Sequence, residues 1–287
     1  MSKHPLAIRC ADGYRLRALE FHPRQSRGVT VIVAAAMMVR RRFYTRFAAW
    51  MAEHGVHAVT FANRGSGESL ALETGSWDHR LEHWGQLDLP AVIEHVRAER
   101  PRDRIFVVGH SMGGQIVGLT ESLHDLDGVI TVAATAAWWG NWPLPDRLWI
   151  LAWYTAIPLI GRALPIFPAG RLGLGPDTRS EVVRGWAKWG RHPAYLYGPF
   201  GLEHHTATYE GRVLAYSFTD DEHFGCLHAV EALHERFTAA EVTMDHVDPR
   251  RFGVRSIGHF GYFQAGVGTP VWSHTLDWIT GGSPAPR

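Results

Sequence analysis

Cysteine is scarce in this sequence. Only two occur among 287 residues, Cys10 and Cys226, and they lie far apart along the chain. So small a number excludes a fold held together by several disulfides, and the spacing matches no metal-binding pattern. We therefore expect two buried free thiols and a protein of the reducing cytoplasm.

An excess of charge is also absent. Lysine and arginine number 29 against 28 aspartates and glutamates, which leaves a formal net charge of +1. A nucleic-acid-binding protein usually carries a larger basic excess or a basic tail, so we expect no nucleic-acid partner. The 18 histidines form neither an H-E-x-x-H motif nor a paired Cys/His pattern, so we expect no metal site.

Long apolar runs are missing as well. The first 21 residues are interrupted by charges every few positions, which is unlike a signal peptide. The most apolar stretch, residues 148–167, is broken by Pro158, Gly161, Arg162 and Pro165. A membrane span needs ~20 mostly uninterrupted apolar residues, so we expect no stable span. This stretch is predicted to be a buried or cap helix, with docking onto a membrane surface as the alternative.

Strands and helices alternate over much of the chain. An Asp-Gly turn joins "LAIRC" to "YRLRALEF" in a hairpin, and "GVTVIVAAA" is typical of a strand buried on both faces. Helices are predicted over residues 42–55, over residues 88–101 with Asp88 as the cap, and over residues 112–128. Strict alternation implies a parallel sheet with right-handed crossovers. The predicted fold class is α/β, with a mostly parallel central sheet and helices on both faces.

The alternation stops between residues 136 and 208. This segment holds seven of the 12 tryptophans, many prolines and no clear strand. We expect a helical cap insertion at 136–208 and one core made of 1–135 and 209–287. The tryptophans either pack the cap onto the core or line an apolar acyl or aromatic pocket.

One short motif carries the chemistry. "GHSMG", residues 109–113, matches G-x-S-x-G, follows a predicted strand and precedes a predicted helix. Glycines two positions either side of Ser111 fit a tight turn that holds the serine in a strained conformation. Such a turn directs the Met112 N–H and the helix N-terminus towards developing negative charge. We interpret the motif as a nucleophile elbow, since no Gly-Lys-Ser/Thr follows to make a phosphate loop.

A serine hydroxyl is a poor nucleophile without a base, and the base needs an orienting carboxylate. "VLAYSFTDDEHF" places Asp220 and Asp221 just beyond a predicted strand, and "RSIGHFGYF" places His259 between glycines further on. The order serine, aspartate, histidine is the one that a strand–elbow–helix fold of this kind requires. The residues alone leave both aspartates open, and one of them can cap a helix instead.

At this point the chain resembles the α/β-hydrolase superfamily. More narrowly, it resembles predicted serine hydrolases of the S33 aminopeptidase-like or lysophospholipase-like group. The blocks that carry the resemblance occur in order over nearly the whole chain: "FANRGSGES", "WGQLDLPAVIEHV", "VVGHSMGGQ", "SFTDDEHF" and "IGHFGYF". The resemblance implies Ser111 as nucleophile, His259 as general base and Asp221 as the acid, with Asp220 as the fallback.

The resemblance also implies an oxyanion hole made of two backbone N–H groups, those of Met112 and Met37. Relatives often carry glycine where this chain has Met38, which leaves the geometry of that loop and the space beside the serine open. Arginines 40–42 follow at once. They are either solvated or contact an anionic group of the substrate.

The expected activity is hydrolysis of an ester or thioester of a small apolar acyl substrate through an acyl-enzyme. No metal or organic cofactor is implied. An acyltransferase with the same triad and a peptidase of the S33 type are the alternatives, and an acidic site for a free amino terminus would favour the peptidase. We expect a preference for short to medium acyl groups, and the sequence leaves the oligomeric state open.

Overall fold

The computed structural model describes residues 1–70 and 77–281. The strands in these ranges are β1 Ser2–Arg9, β2 Arg15–His22, β3 Val29–Ala34, β4 His57–Phe61, β5 Arg104–His110, β6 Gly128–Val132, β7 Ile166–Phe167, β8 Thr178–Arg179, β9 Arg212–Phe218 and β10 Glu241–Val247. The α-helices are α1 Thr45–Glu53, α2 Leu89–Glu99, α3 Met112–Gln115, α4 Asp146–Ala163, α5 Ser180–Gly190, α6 Leu227–His234, α7 Gly258–Gly261 and α8 Thr269–Thr280.

Eight strands form the central sheet, in the order β1-β2-β4-β3-β5-β6-β9-β10. β2 pairs antiparallel with β1 and β4, and every other neighbouring pair is parallel. This confirms the mostly parallel sheet. The strand order reverses between β3 and β5, so the loops at their carboxyl ends meet at the topological switch point, where α/β folds bind ligands.

Strand β3 shows how the sheet is covered on both faces. All six of its residues are buried, as its unbroken apolar run predicts. Val29, Val31 and Val33 pack with residues of α1 and α8 on one face. Ile32 and Ala34 pack with residues of α2 and α6 on the other. The expected helices on both faces are therefore present.

The single helix predicted over residues 112–128 is wrong. The structure has the short α3, then a 3-10 helix at Ile116–Leu119, an extended residue, and a second 3-10 helix at Glu121–Asp125. Gly118 lies so close to Thr206 that a side chain there would collide with the Thr206 methyl group. Three glycines in seven residues weaken the helix, and contact with a distant segment decides the path.

Asp88 does not cap α2 as predicted. A π-helical turn at Trp84–Asp88 leads directly into α2, so Asp88 is not at a helix start. Its fully buried carboxylate instead accepts hydrogen bonds from Arg64, through the backbone N–H at 2.8 Å and Nε at 2.6 Å. The other end of the buried Arg64 guanidinium contacts Asp12. This ion-pair chain ties the loop after β4 to the β1–β2 hairpin and to α2.

The predicted insertion, residues 136–208, contains the helices α4 and α5. The two pack on each other, with Tyr154 of α4 against Gly190 of α5 and Arg184 Nη1 donating to the Gly161 carbonyl at 3.0 Å. The segment also contains a short antiparallel pair, β7 and β8, where no strand was expected. In the described ranges no helix combines the length and apolar character that crossing a membrane requires.

Both cysteines are free thiols, as expected. Cys10 is buried, whereas Cys226 is only partly buried, so the expectation of two buried thiols holds for the first alone. Cys226 lies at the start of α6, where its thiol reaches the Asn141 carbonyl at 3.6 Å.

Candidate active site

Ser111 lies on a sharp turn between β5 and α3. Its backbone has φ 49° and ψ −115°, a region that residues other than glycine rarely occupy. The turn is held by its N–H donating to the Val132 carbonyl at 2.8 Å, and by its carbonyl accepting from Gly114 at 2.9 Å. Strain of this kind costs ~1–3 kcal/mol and persists only where the surrounding structure enforces it.

The glycines around Ser111 are required by close packing. A Cβ atom on Gly113 would collide with the carbonyl of Ala34 at the end of β3, and one on Gly109 would collide with Gly114. Only glycine lets α3 begin this close to the neighbouring strand. The packing places the loop that follows β3 directly beside Ser111.

His259 and Asp221 are joined by a short hydrogen bond. His259 Nδ1 lies 2.7 Å from Asp221 Oδ2, and the two side chains are only 8% and 3% exposed. A carboxylate can only accept, so Nδ1 carries the proton and Nε2 of the neutral ring is left as an acceptor.

Asp220 occupies a different environment from its neighbour. Its carboxylate accepts from Ser256 Oγ at 2.6 Å and from the backbone N–H groups of Ile257 and Gly258 at 2.9 and 3.0 Å. Partial burial alone would raise the pKa of Asp220, but these hydrogen bonds lower it below its ordinary value. Asp220 therefore holds the start of α7, the helix that carries His259, while Asp221 contacts the ring itself.

Ser111 and His259 line one cavity of about 400 Å³. Ten of its 21 lining residues come from the 136–208 segment, and they include four tryptophans, Trp142, Trp149, Trp153 and Trp186. Trp189 is instead buried in the hydrophobic core beside Tyr195. The two roles considered for the tryptophans are thus divided between different members of the set.

The Met37–Met38 loop faces Ser111 across the same cavity, which Met112 also lines. Neither the Met37 N–H nor the Met112 N–H donates a hydrogen bond within the described ranges. Met38 has φ 58°, in the left-handed region that glycine adopts at no steric cost. The loop therefore keeps a glycine-like backbone conformation although the side chain is methionine.

His110, next to the serine, has a role that sequence reasoning missed. Its ring is fully buried, with Nε2 donating to the His259 carbonyl at 2.8 Å and Nδ1 accepting from the Tyr44 hydroxyl at 2.9 Å. The same hydroxyl accepts from the Ala36 N–H at 2.8 Å. Burial first, and the neighbouring His259 second, hold the pKa of His110 well below its ordinary value, so the ring is neutral.

We call this chain of hydrogen bonds, Ala36–Tyr44–His110–His259, the relay. It connects the loop after β3, the turn at Ser111 and the segment that carries His259. The sequence showed a histidine beside the serine, but no pattern in it names Tyr44 or the His259 carbonyl as partners.

Two further sequence predictions concern the arginines at 40–42 and metal binding. Arg41 pairs with Glu68 at 3.6 Å and is not among the described residues that line the serine cavity. Residues 1–70 and 77–281 contain no group of three histidine, cysteine or acidic side chains arranged to hold a metal ion.

Comparisons with known proteins identify a family and a fold. The model of the family described as "Serine aminopeptidase, S33" matches residues 25–172, just over half of the chain. No curated protein with which the sequence was compared matches it.

Solved structures of similar fold cover nearly the whole chain. A complex of DcsB with its substrate analogue is 13% identical, covers 98% of this chain and 100% of its own, and has a TM-score of 0.70. A soluble monoglyceride lipase variant from Saccharomyces cerevisiae is 15% identical, covers 97% and 94%, and has a TM-score of 0.69. The esterase EaEST from Exiguobacterium antarcticum is 15% identical, covers 96% and 99%, and has a TM-score of 0.61.

At these low sequence identities, the similarity to solved structures establishes only the fold. The match to the family model establishes the family to which this chain belongs. This chain belongs to the S33 serine aminopeptidase family and is an α/β-hydrolase enzyme.

Proposed function

We propose that the protein is a serine esterase in which Ser111 attacks the carbonyl carbon of an ester or thioester. His259 acts as general base and Asp221 orients its ring. The observation that carries the proposal is the shared cavity of Ser111 and His259, with the His259 ring held at 2.7 Å by a buried carboxylate. Nucleophile, base and orienting group are the parts that this chemistry needs.

The reaction begins as His259 Nε2 removes the proton from the Ser111 hydroxyl. In the described ranges no hydrogen bond joins these side chains, which is common before substrate tightens a site. The backbone N–H groups of Met112 and Met37 stabilise the negative charge on the tetrahedral oxygen. The bond to the leaving group then breaks, and that group takes the proton from His259. Water attacks the acyl-enzyme by the same steps and releases the acid.

The cavity walls favour an apolar acyl group. Most of the lining consists of tryptophan and aliphatic side chains, and the volume of about 400 Å³ lies within the range of small-molecule sites. We therefore propose that the substrate carries a short to medium acyl chain.

We also propose that residues 136–208 form the cap and that residues 1–135 and 209–287 form the core.

Peptide hydrolysis, which the family name suggests, is less well supported. An aminopeptidase needs a negative charge for the free amino terminus of its substrate. Among the described residues that line the serine cavity there is no aspartate or glutamate. The esterase proposal needs no such charge.

We also propose a cytoplasmic location, because both cysteines are free thiols and the cytoplasm is reducing.

A chain-length series of 4-nitrophenyl esters, from acetate to laurate, tests the substrate proposal. We expect kcat/KM to pass through a maximum at a short to medium chain, because longer chains exceed the cavity. A profile that is flat with chain length would count against the tryptophan-lined cavity as the acyl site.

Two companion assays separate the alternatives. Aminoacyl 4-nitroanilides should not be hydrolysed, and their turnover at rates near those of the esters would favour the peptidase. Product analysis with an alcohol present should give free acid as the main product, whereas an ester product in excess would favour the acyltransferase.

A further inference from the structure

A second cavity, of about 880 Å³, adjoins the serine cavity. The two share the lining residues Met37, Met38, Gly173, Leu174 and Phe260. A molecule bound at Ser111 can therefore extend from one cavity into the other. Their linings differ sharply, because Arg40, Arg42 and Arg46 line only the second cavity, which we call the arginine vestibule.

Within the part of the chain that the structure describes, these arginines have no acidic partner. All three are exposed, and within the described ranges none takes part in an ion pair or a side-chain hydrogen bond. The contrast is with Arg41, between them in sequence, which pairs with Glu68. Among the described residues that line the vestibule, no aspartate or glutamate occurs.

Their spacing concentrates the charge. Arg42 lies in the 3-10 turn Arg41–Tyr44 and Arg46 lies in the first turn of α1, and both line the vestibule. Arg40 precedes the same turn. Positive groups gathered in a concave, partly apolar site raise the local concentration of anions.

We propose that the arginine vestibule binds an anionic group on the leaving-group side of the substrate, a phosphate or a carboxylate. This inference rests on the proposed esterase function and adds the substrate class. Guanidinium groups match both anions through paired N–H donors. The anion belongs to the leaving group because no arginine or lysine occurs among the described residues that line the serine cavity, which takes the acyl chain. An unpaired charge there would be costly to bury.

The reaction then releases an alcohol or thiol that carries the anion. The Ser111 oxygen forms the new bond to the acyl carbon, the bond from that carbon to the leaving oxygen or sulfur breaks, and the leaving atom receives its proton from His259. Water then splits the acyl-enzyme and yields the free acid.

The test uses three butyrate esters with related aromatic leaving groups: 3-hydroxybenzoate, 3-hydroxyphenyl phosphate and the neutral methyl 3-hydroxybenzoate. Each is assayed with the wild-type enzyme and with the triple variant Arg40→Gln, Arg42→Gln, Arg46→Gln. We expect the variant to lose at least roughly tenfold in kcat/KM on an anionic ester relative to the neutral one, mainly through KM. Comparing variant with wild type on each ester removes differences in leaving-group reactivity.

A matched control removes the same amount of charge elsewhere. Arg24, Arg27 and Arg102 are exposed and line neither cavity. Their triple glutamine variant should leave the ratio of anionic to neutral turnover unchanged. Raising the ionic strength should weaken the wild-type preference, because exposed charges are screened by salt.

The outcomes separate the two proposals. Loss on the phosphate ester alone, or on the carboxylate ester alone, identifies the anion. An equal change on all three esters, or the same change in the control variant, overturns the vestibule proposal. Failure of the wild-type enzyme to hydrolyse even the neutral ester would instead overturn the proposed esterase function.

Discussion

Two adjacent carboxylates after β9 are held by different partners. Asp221 contacts the His259 ring at 2.7 Å, and Asp220 accepts from Ser256 and from the backbone ahead of His259. Both act on the same histidine, one on the ring and one on the helix that presents it. The matched pair of asparagine variants can therefore separate the two effects.

We expect Asp221→Asn to lower kcat for ester hydrolysis by roughly 10⁴-fold, because asparagine keeps the shape but stabilises the wrong ring tautomer. Asp220→Asn should stay within about tenfold of wild type and lose stability instead, since it weakens three hydrogen bonds. Steady-state kinetics and urea unfolding on both variants provide the check. The reverse ranking of kcat would assign the acid to Asp220.

At the scale of elements, the candidate site is built from loops that follow β3, β5, β9 and β10. His110, the last residue of β5, is connected through Tyr44 to the Ala36 N–H after β3 and, on its other side, to the His259 carbonyl after β10. The three bonds are 2.8–2.9 Å long, and the histidine is fully buried. The relay joins the loop after β3, the turn at Ser111 and the segment that carries His259.

We therefore expect His110→Leu to lower kcat by roughly 10²-fold with little change in KM, because small displacements of catalytic groups cost about that much. His110→Gln, whose amide can both donate and accept, should recover part of the loss. Steady-state kinetics on the preferred ester measure the effects on kcat and on KM separately, and circular dichroism confirms that the variants fold. A leucine variant with unchanged kcat would show that the relay does not position the site.

The sequence predicted those features that depend on local pattern. The alternation of predicted strands and helices along the chain predicted the parallel sheet, and the glycines around Ser111 predicted the tight turn. The errors lie where distant residues decide: Thr206 against Gly118 breaks the predicted helix, and Arg64 takes the carboxylate of Asp88. The position of Arg40, Arg42 and Arg46 beside the serine cavity could not be predicted from the sequence either, because it depends on how residues 136–208 pack over the sheet.

At the scale of the whole molecule, His110 and His234 are both buried, and burial favours the neutral form of each ring. Burial lowers the pKa of His234 from its ordinary value of 6.5 to about 4, and it holds the pKa of His110 well below that ordinary value. His234 Nδ1 donates to the Val230 carbonyl at 2.7 Å, and Nε2 accepts from the Thr131 hydroxyl at 2.7 Å. Both rings bind a proton more readily in the unfolded chain.

Their contribution to stability is thus complete above pH 6.5 and is lost as the pH falls towards the folded-state pKa. Between pH 6 and pH 4.5 we expect the free energy of unfolding to fall by up to ~1.4 kcal/mol per pH unit for each histidine. Urea unfolding at several pH values measures the slope. His234→Gln keeps hydrogen-bonding groups but cannot titrate, so its slope should be smaller, and an unchanged slope would contradict the assignment.

The central claim is that Ser111 is a nucleophile activated by His259. Reaction with a fluorophosphonate, followed by intact-mass measurement and peptide mapping, tests it most directly. We expect one adduct per chain, located on Ser111, with Ser111→Ala unlabelled and labelling of His259→Ala slowed by at least roughly 10³-fold. A wild-type enzyme that stays unlabelled, or a Ser111→Ala variant that labels at the wild-type rate, would contradict the claim.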